Sequence, residues 1–237
     1  MKLITILFLL VANYSLSQLV GVNEEKSKAI VKDTNSWIYL DAGYFFINHT
    51  LESNPDFLNK PLGERANEGK INLWSYSLGM STPIAKKIYF DGGLSFIQNG
   101  ESYAWSSSTN DSTFEYETKY RYIGMPLQLK FQTGKNFVFF LGGGIIPQMQ
   151  MAYLQSQRWT DSLGGRAEAK VKNYNNLNSF ILSVGGSAGF ILNFNKNMGL
   201  RLGIQYRAQI TDTYSKFNGY LHKTSAIGFT FGLTRKF

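Results

Sequence analysis

The segment HKTSAIGFTFGLTRKF, residues 222–237, decides the fold, because it changes character at every step. Lys223, Ser225, Ile227, Phe229, Phe231, Leu233, Arg235 and Phe237 fall on one face of an extended chain. His222, Thr224, Ala226, Gly228, Thr230, Gly232 and Thr234 fall on the other. Period-two alternation predicts a strand whose two faces meet different surroundings. The preceding segment repeats the pattern, with Met198, Leu200, Leu202, Ile204, Tyr206 and Ile210 opposite Arg201, Gly203, Gln205, Arg207 and Gln209. Two arginines and two glutamines on one face exclude a dry sandwich core, since unpaired buried charge is costly. They suit the lumen of a barrel.

Working back from these two strands, six more segments alternate in the same way: 37–46, 71–82, 88–98, 116–131, 137–153 and 180–194. Each reaches the ~9–11 residues that a tilted spanning strand requires. Short connections at 83–87, 133–136 and 195–197 alternate with long polar ones at 48–70, 99–115, 154–178 and 212–221. That layout predicts an all-β fold, an eight-stranded antiparallel transmembrane up-and-down β-barrel with tight periplasmic turns and longer extracellular loops. A soluble lipocalin-like barrel also has eight strands, but carries its bulky apolar residues inside. The charged faces and the leader described next favour the membrane form. No stretch approaches 18 consecutive apolar residues, so no transmembrane helix is expected.

Composition agrees. Only 17% of the 237 residues are charged, 15% are aromatic and 23 are glycine. Mean hydropathy is nonetheless only -0.18, as expected when each strand has one apolar and one polar face. Residues 1–17 read as a signal peptide: Lys2, an apolar run at 3–12, then Ser15 and Ser17 before a cleavage site. Residues 18–35 read as a periplasmic lead-in, and 36–237 as the barrel domain in a Gram-negative cell envelope. The absence of cysteine excludes disulfides and thiol chemistry. The net charge of +8 is scattered, without a basic helix or recognition motif, so no nucleic-acid partner is expected.

The stretch YIGMPLQLKF at 122–131 resembles the Y-x-E-[IV]-P-L-x-L-K strand of the PorT-like outer-membrane β-barrel family of Bacteroidota, among the small OmpA/OmpX-type barrels. It departs at Gly124, where the family often has Glu. The glycine-rich 185–189 segment, the Arg201–Arg207 strand and the aromatic ending at Phe237 fit the same family. The resemblance implies a cell outer membrane location and a C-terminal strand read by the barrel-insertion machinery. Some members are accessory components of secretion and gliding, so the likeness adds fold and place more than mechanism.

The inferred lumen carries Asp41, Asp91, Lys130, Arg201 and Arg207 with Gln128, Gln148, Gln150, Gln205 and Gln209. Such a set is either a polar conduit or a network of paired side chains. Eight strands enclose a space that side chains fill, so a filled interior is expected. His49 and His222 lie near loop ends, but no nucleophile elbow or paired-histidine motif accompanies them. No catalytic, cofactor-binding or metal-binding residues are assigned, and no cofactor is expected. Lys119 and Arg121 share the outward register with Ile123, where they would meet lipopolysaccharide at the outer interface. Trp37, Trp74, Tyr76, Tyr103, Trp105 and Tyr153 are candidates for an interface belt. The function expected is non-enzymatic: extracellular loops that bind a surface polysaccharide or protein partner, or support envelope assembly and secretion. A narrow channel or transport-machine component is the alternative, and a rim hydrolase the remote one. The 154–178 loop carries Arg158, Arg166, Lys170 and Lys172 against Asp161 and Glu168, which would suit an acidic partner.

Overall fold

A computed structural model describes residues 36–56, 61–172 and 176–237. The signal peptide and lead-in expected at 1–35 lie outside the described residues. Among the described residues ten antiparallel strands make the fold: β1 Trp37–Ser53, β2 Ile71–Ala85, β3 Ile88–Ser106, β4 Thr113–Gly124, β5 Leu127–Gly134, β6 Phe137–Thr160, β7 Arg166–Val171, β8 Phe180–Asn193, β9 Met198–Gln209 and β10 Tyr220–Lys236.

Ten strands replace the eight expected, for two physical reasons. β4 and β5 both lie between β3 and β6, and are one staircase broken at Met125–Pro126. Pro126 has no amide hydrogen to give a ladder. β7 pairs only with the far end of β6 and stands off the ring. The ring itself closes, since β1 pairs with both β2 and β10, and the remaining neighbours follow in turn. Closure leaves no open edge in the spanning part, as a bilayer demands of a β structure.

Alternation sorts the residues as the pleat requires. Tyr39, Asp41, Phe45 and Ile47 of β1 are buried inside, whereas Ile38, Leu40 and Phe46 stand on the exterior. The exterior of β10 is Ile227, Phe229, Phe231 and Leu233, each about half exposed or more. A continuous apolar exterior of this kind has lipid as its solvent. Inside, buried clusters such as Phe45, Ile47, Leu73 and Ala226 alternate with layers of polar groups.

The long loops are shorter than expected. β1 runs to Ser53, β3 to Ser106, β4 starts at Thr113, and β6 continues to Thr160 before turning into β7. Most of 99–115 and 154–178 is therefore hairpin. A polar outward face reads as loop in a sequence, but above the lipid the ladder continues while the inward face keeps aromatic residues such as Tyr103 and Tyr116.

Candidate functional site: a sealed lumen and the sheet above it

Two glycines let the lower lumen close. Asp41 on β1 and Arg201 on β9 are both register partners of Gly232 on the intervening β10. A Cβ on Gly232 would lie 2.1 Å from Asp41 Oδ1, so only glycine lets the two charges meet across the strand. They do so at 3.1 Å, between Arg201 Nη1 and Asp41 Oδ2. Tyr39 likewise crosses Gly79 of β2, whose Cβ would fall 2.3 Å from the phenol oxygen. Its hydroxyl donates to Asp91 Oδ1 at 2.5 Å. Lys130 Nζ donates to Asp91 Oδ2, also at 2.5 Å. Arg201 lies 4.3 Å from the Tyr39 ring centre and 4.8 Å from that of Phe140. Acid, base and aromatic faces thus fill one layer.

Above it, Arg207 donates to Ser75 Oγ, Gln98 O and Asn99 Oδ1, and stacks over Phe45 at 4.1 Å. Gln128 Oε1 accepts from Ser187. Gln148 Nε2 donates to Ser183 at 2.6 Å. Gln209 Oε1 accepts from Thr213 Oγ1 and the Thr224 amide. Gln205 lines a cavity of about 30 Å³, and Gln150 is half-buried on the inner side. A second cavity beside Trp37 and Gln132 measures about 10 Å³. Spaces of this size hold little more than a water molecule.

The mouth holds a group of residues that alternation did not reveal. The 61–70 segment carries a short 3-10 turn, Gly63–Asn67, and folds inward. Glu68, with a side chain 1% exposed, meets His49 Nε2 at 3.4 Å and Arg65 Nε at 2.9 Å, and accepts from the Tyr116 hydroxyl at 2.7 Å. Burial pushes the Glu68 carboxyl up, but these three partners outweigh it and hold it below the ordinary carboxylate range. Arg65 donates to the Tyr214 hydroxyl and stacks on Tyr214 and Tyr220. Tyr214, in the 210–219 loop, is raised by burial first and by the Glu101 charge second. Loop and loop are thereby locked over the barrel. His222 Nε2 lies 3.5 Å from Glu101 Oε2, and Tyr120 donates to Glu101 Oε1 at 2.8 Å.

This corrects the placement of the histidines. His49 and His222 are on β1 and β10, face inward, and stack at 5.6 Å, with His222 fully buried. The strands run further than their apolar alternation, so positions expected near loop ends lie in the lumen. Among the described residues no group of histidines and acids is placed to hold a metal ion. Acids and bases balance across the lumen and its mouth: buried Asp41, Asp91 and Glu101 with Glu68 against buried Lys130, Arg201 and Arg207 with the half-buried Arg65.

Lys119 and Arg121 lie on the outer side of β4, both half-buried. Lys119 is tied to Glu117 at 2.5 Å. Arg121 stands at a bulge where β4 slips against β6, and its Nε has no hydrogen-bond partner among the described residues. Of the six belt candidates, Trp74 and Tyr76 face outward. Trp37, Tyr103 and Tyr153 are buried inside, and Trp105 shares the inward register of Tyr103.

Past the mouth, the upper ends of β3, β4 and β6 continue with β7 as a raised four-stranded sheet. Its outer face bears the charges, with Glu115, Arg158 and Glu168 in one row and Arg158 Nε 3.5 Å from Glu168.

No protein-family model matches the sequence, and no curated protein matches it. Solved structures similar in backbone are outer-membrane proteins. OprG from Pseudomonas aeruginosa is 11% identical, with 86% of this chain and 96% of that one covered and a TM-score of 0.48. Neisserial surface protein A is 13% identical, with 85% and 97% covered and a TM-score of 0.42. Ail of Yersinia pestis is 14% identical, with 87% and 100% covered and a TM-score of 0.31. The barrel's character rests on its own register and burial.

Proposed function

We propose that this chain is a non-enzymatic integral protein of a bacterial outer membrane, a sealed barrel that holds a β-sheet up from the cell surface. The observation that carries this reading is the balanced set of buried charges that fills the lumen from Asp41 to Arg65. Arginines paired or stacked inside a narrow ring act as struts, and the two lumen cavities beside them, about 30 and 10 Å³, are water-sized. A rigid scaffold that carries its irregular and polar segments at one end is the usual arrangement for binding.

Arg121 is the lipopolysaccharide contact in this reading, because Glu117 already neutralises Lys119. The outward Phe229, Phe231, Leu233 and Phe237 present the edge pattern that the barrel-insertion machinery would take up. PorT-like kinship, and with it support of secretion, draws on the 122–131 stretch, which spans the β4–β5 break.

Conductance tests the sealed barrel. Purified protein inserted in a planar bilayer is expected to give no steady current steps in concentrated salt. Large, stable single-channel steps would overturn the proposal in favour of a channel.

A further inference from the structure

The inner face of the raised sheet differs from the outer in kind. Trp105, Phe114 and Trp159 are direct register partners on β3, β4 and β6 and form a single row. Strands lie ~4.8 Å apart, so the two indoles stand about 10 Å from each other with a phenyl between them. Both indoles remain open to solvent, Trp105 at 49% and Trp159 at 39%. The row below is buried and stiff: Tyr103 and Tyr116 stack at 5.2 Å, and Tyr116 is anchored to Glu68. Beside them, Gln157 Nε2 donates to Gln155 Oε1 at 2.9 Å, and Gln155 Nε2 to Thr118.

This face bears no formal charge from the Tyr103 row upward. Glu115, Glu117, Arg158, Glu168 and Lys170 occupy the opposite register positions, on the outer face. Exposed tryptophans on a rigid support are an expensive arrangement in water unless something covers them. An acidic polymer would be drawn to the charged outer face. A flat, uncharged ligand with C–H faces and hydroxyl edges matches the inner one: rings stack on the C–H faces, and the glutamine amides exchange hydrogen bonds with the hydroxyls. The 10 Å row spans about two sugar rings, given the strand spacing.

We infer that the Trp105–Phe114–Trp159 row is a binding site for a neutral, β-linked oligosaccharide, whose equatorial linkages keep the chain ribbon-like. The inference rests on the reading of this sheet as the cell-surface end of the barrel, which protease shaving of intact cells tests separately.

The experiment uses the full chain in a detergent without sugar headgroups. Cellohexaose and chitohexaose are titrated in while tryptophan fluorescence is followed, with a heparin-derived hexasaccharide as the charged control. At least one neutral sugar is expected to saturate the signal. Trp105→Ala and Trp159→Ala should each weaken it by about tenfold or more. Gln157→Ala, which leaves the rings in place, should weaken it several-fold, and Lys170→Ala on the outer face should not change it. Heat-modifiable gel mobility confirms that each variant is folded. The inference fails if neither neutral sugar binds, if binding survives in both tryptophan variants, or if only the charged sugar binds. A conducting barrel that still binds sugar would remove the sealed-scaffold reading and leave this site standing.

Discussion

Replacing Asp91 with alanine is expected to destabilise the inserted barrel by about 3–5 kcal/mol. Asp91 is 1% exposed and is the shared acceptor of Tyr39 and Lys130. Without it, Lys130 is left buried beside Arg201, and Asp41, which lines the same cavity, is already engaged by Arg201. Like charges then face each other in a space that water barely enters. Removing both partners is different in sign, because replacement of a buried pair by apolar groups of similar volume is often neutral or stabilising. Asp91→Leu with Lys130→Met should therefore recover part of the loss, short of the cost of the Tyr39 hydroxyl left without its acceptor. The unfolding midpoint in urea, measured in lipid vesicles, separates the cases. Equal midpoints for the single and double variants would mean that the pair is not buried as described.

The strand alternation made the inner and outer faces legible. Arg201 and Gln205 could only share a polar interior with Arg207, and Leu200 and Leu202 could only meet lipid. Which charges meet was not legible, because it depends on register between distant parts of the chain. Asp91 and Lys130 are 39 residues apart, and Asp41 finds Arg201 only because Gly232 intervenes. A pattern within one strand says nothing about its phase against the next. The break at Met125–Pro126 was visible as a proline, yet the apolar alternation on either side of it concealed the change of ladder.

The mouth was hidden for another reason. Glu101 and Tyr103 continue the inward register of Asn99, but their outward neighbours, Gly100 and Ser102, are not apolar, so the strand signal fades where the lipid ends. Arg65 and Glu68 lie in a polar segment with no periodicity, and only their landing place among His49, Tyr116 and Tyr214 makes them structural. Length and polarity of a loop do not reveal whether it faces water or turns back into the barrel.

That landing place gives the second large effect. Glu68→Ala is expected to undock the 61–70 segment, at a cost of about 3 kcal/mol to the docked state, since Arg65 and Tyr116 lose their buried acceptor. At 1.4 kcal/mol per tenfold, the opening equilibrium shifts by roughly a hundredfold. The amides of Gly69 and Ser102, each bonded to the other's carbonyl at 2.5 and 3.2 Å, report it through hydrogen exchange. Acid should do the same in the unaltered protein. Because the folded-state value of Glu68 is depressed, its contribution is complete above the unfolded carboxyl range of about 4.3 and is lost as pH falls through the lower folded value. Corrected for intrinsic rates, protection at Gly69 should drop in that acid window and be insensitive to it in Glu68→Ala. Unchanged protection in the variant would mean that other contacts hold the loop. The same variant should still pass no current, because the Asp41–Arg201 and Asp91–Lys130 layers lie below the mouth. A Glu68 variant that conducts would place the whole seal in the loop and make the lower charges a lining instead of a plug.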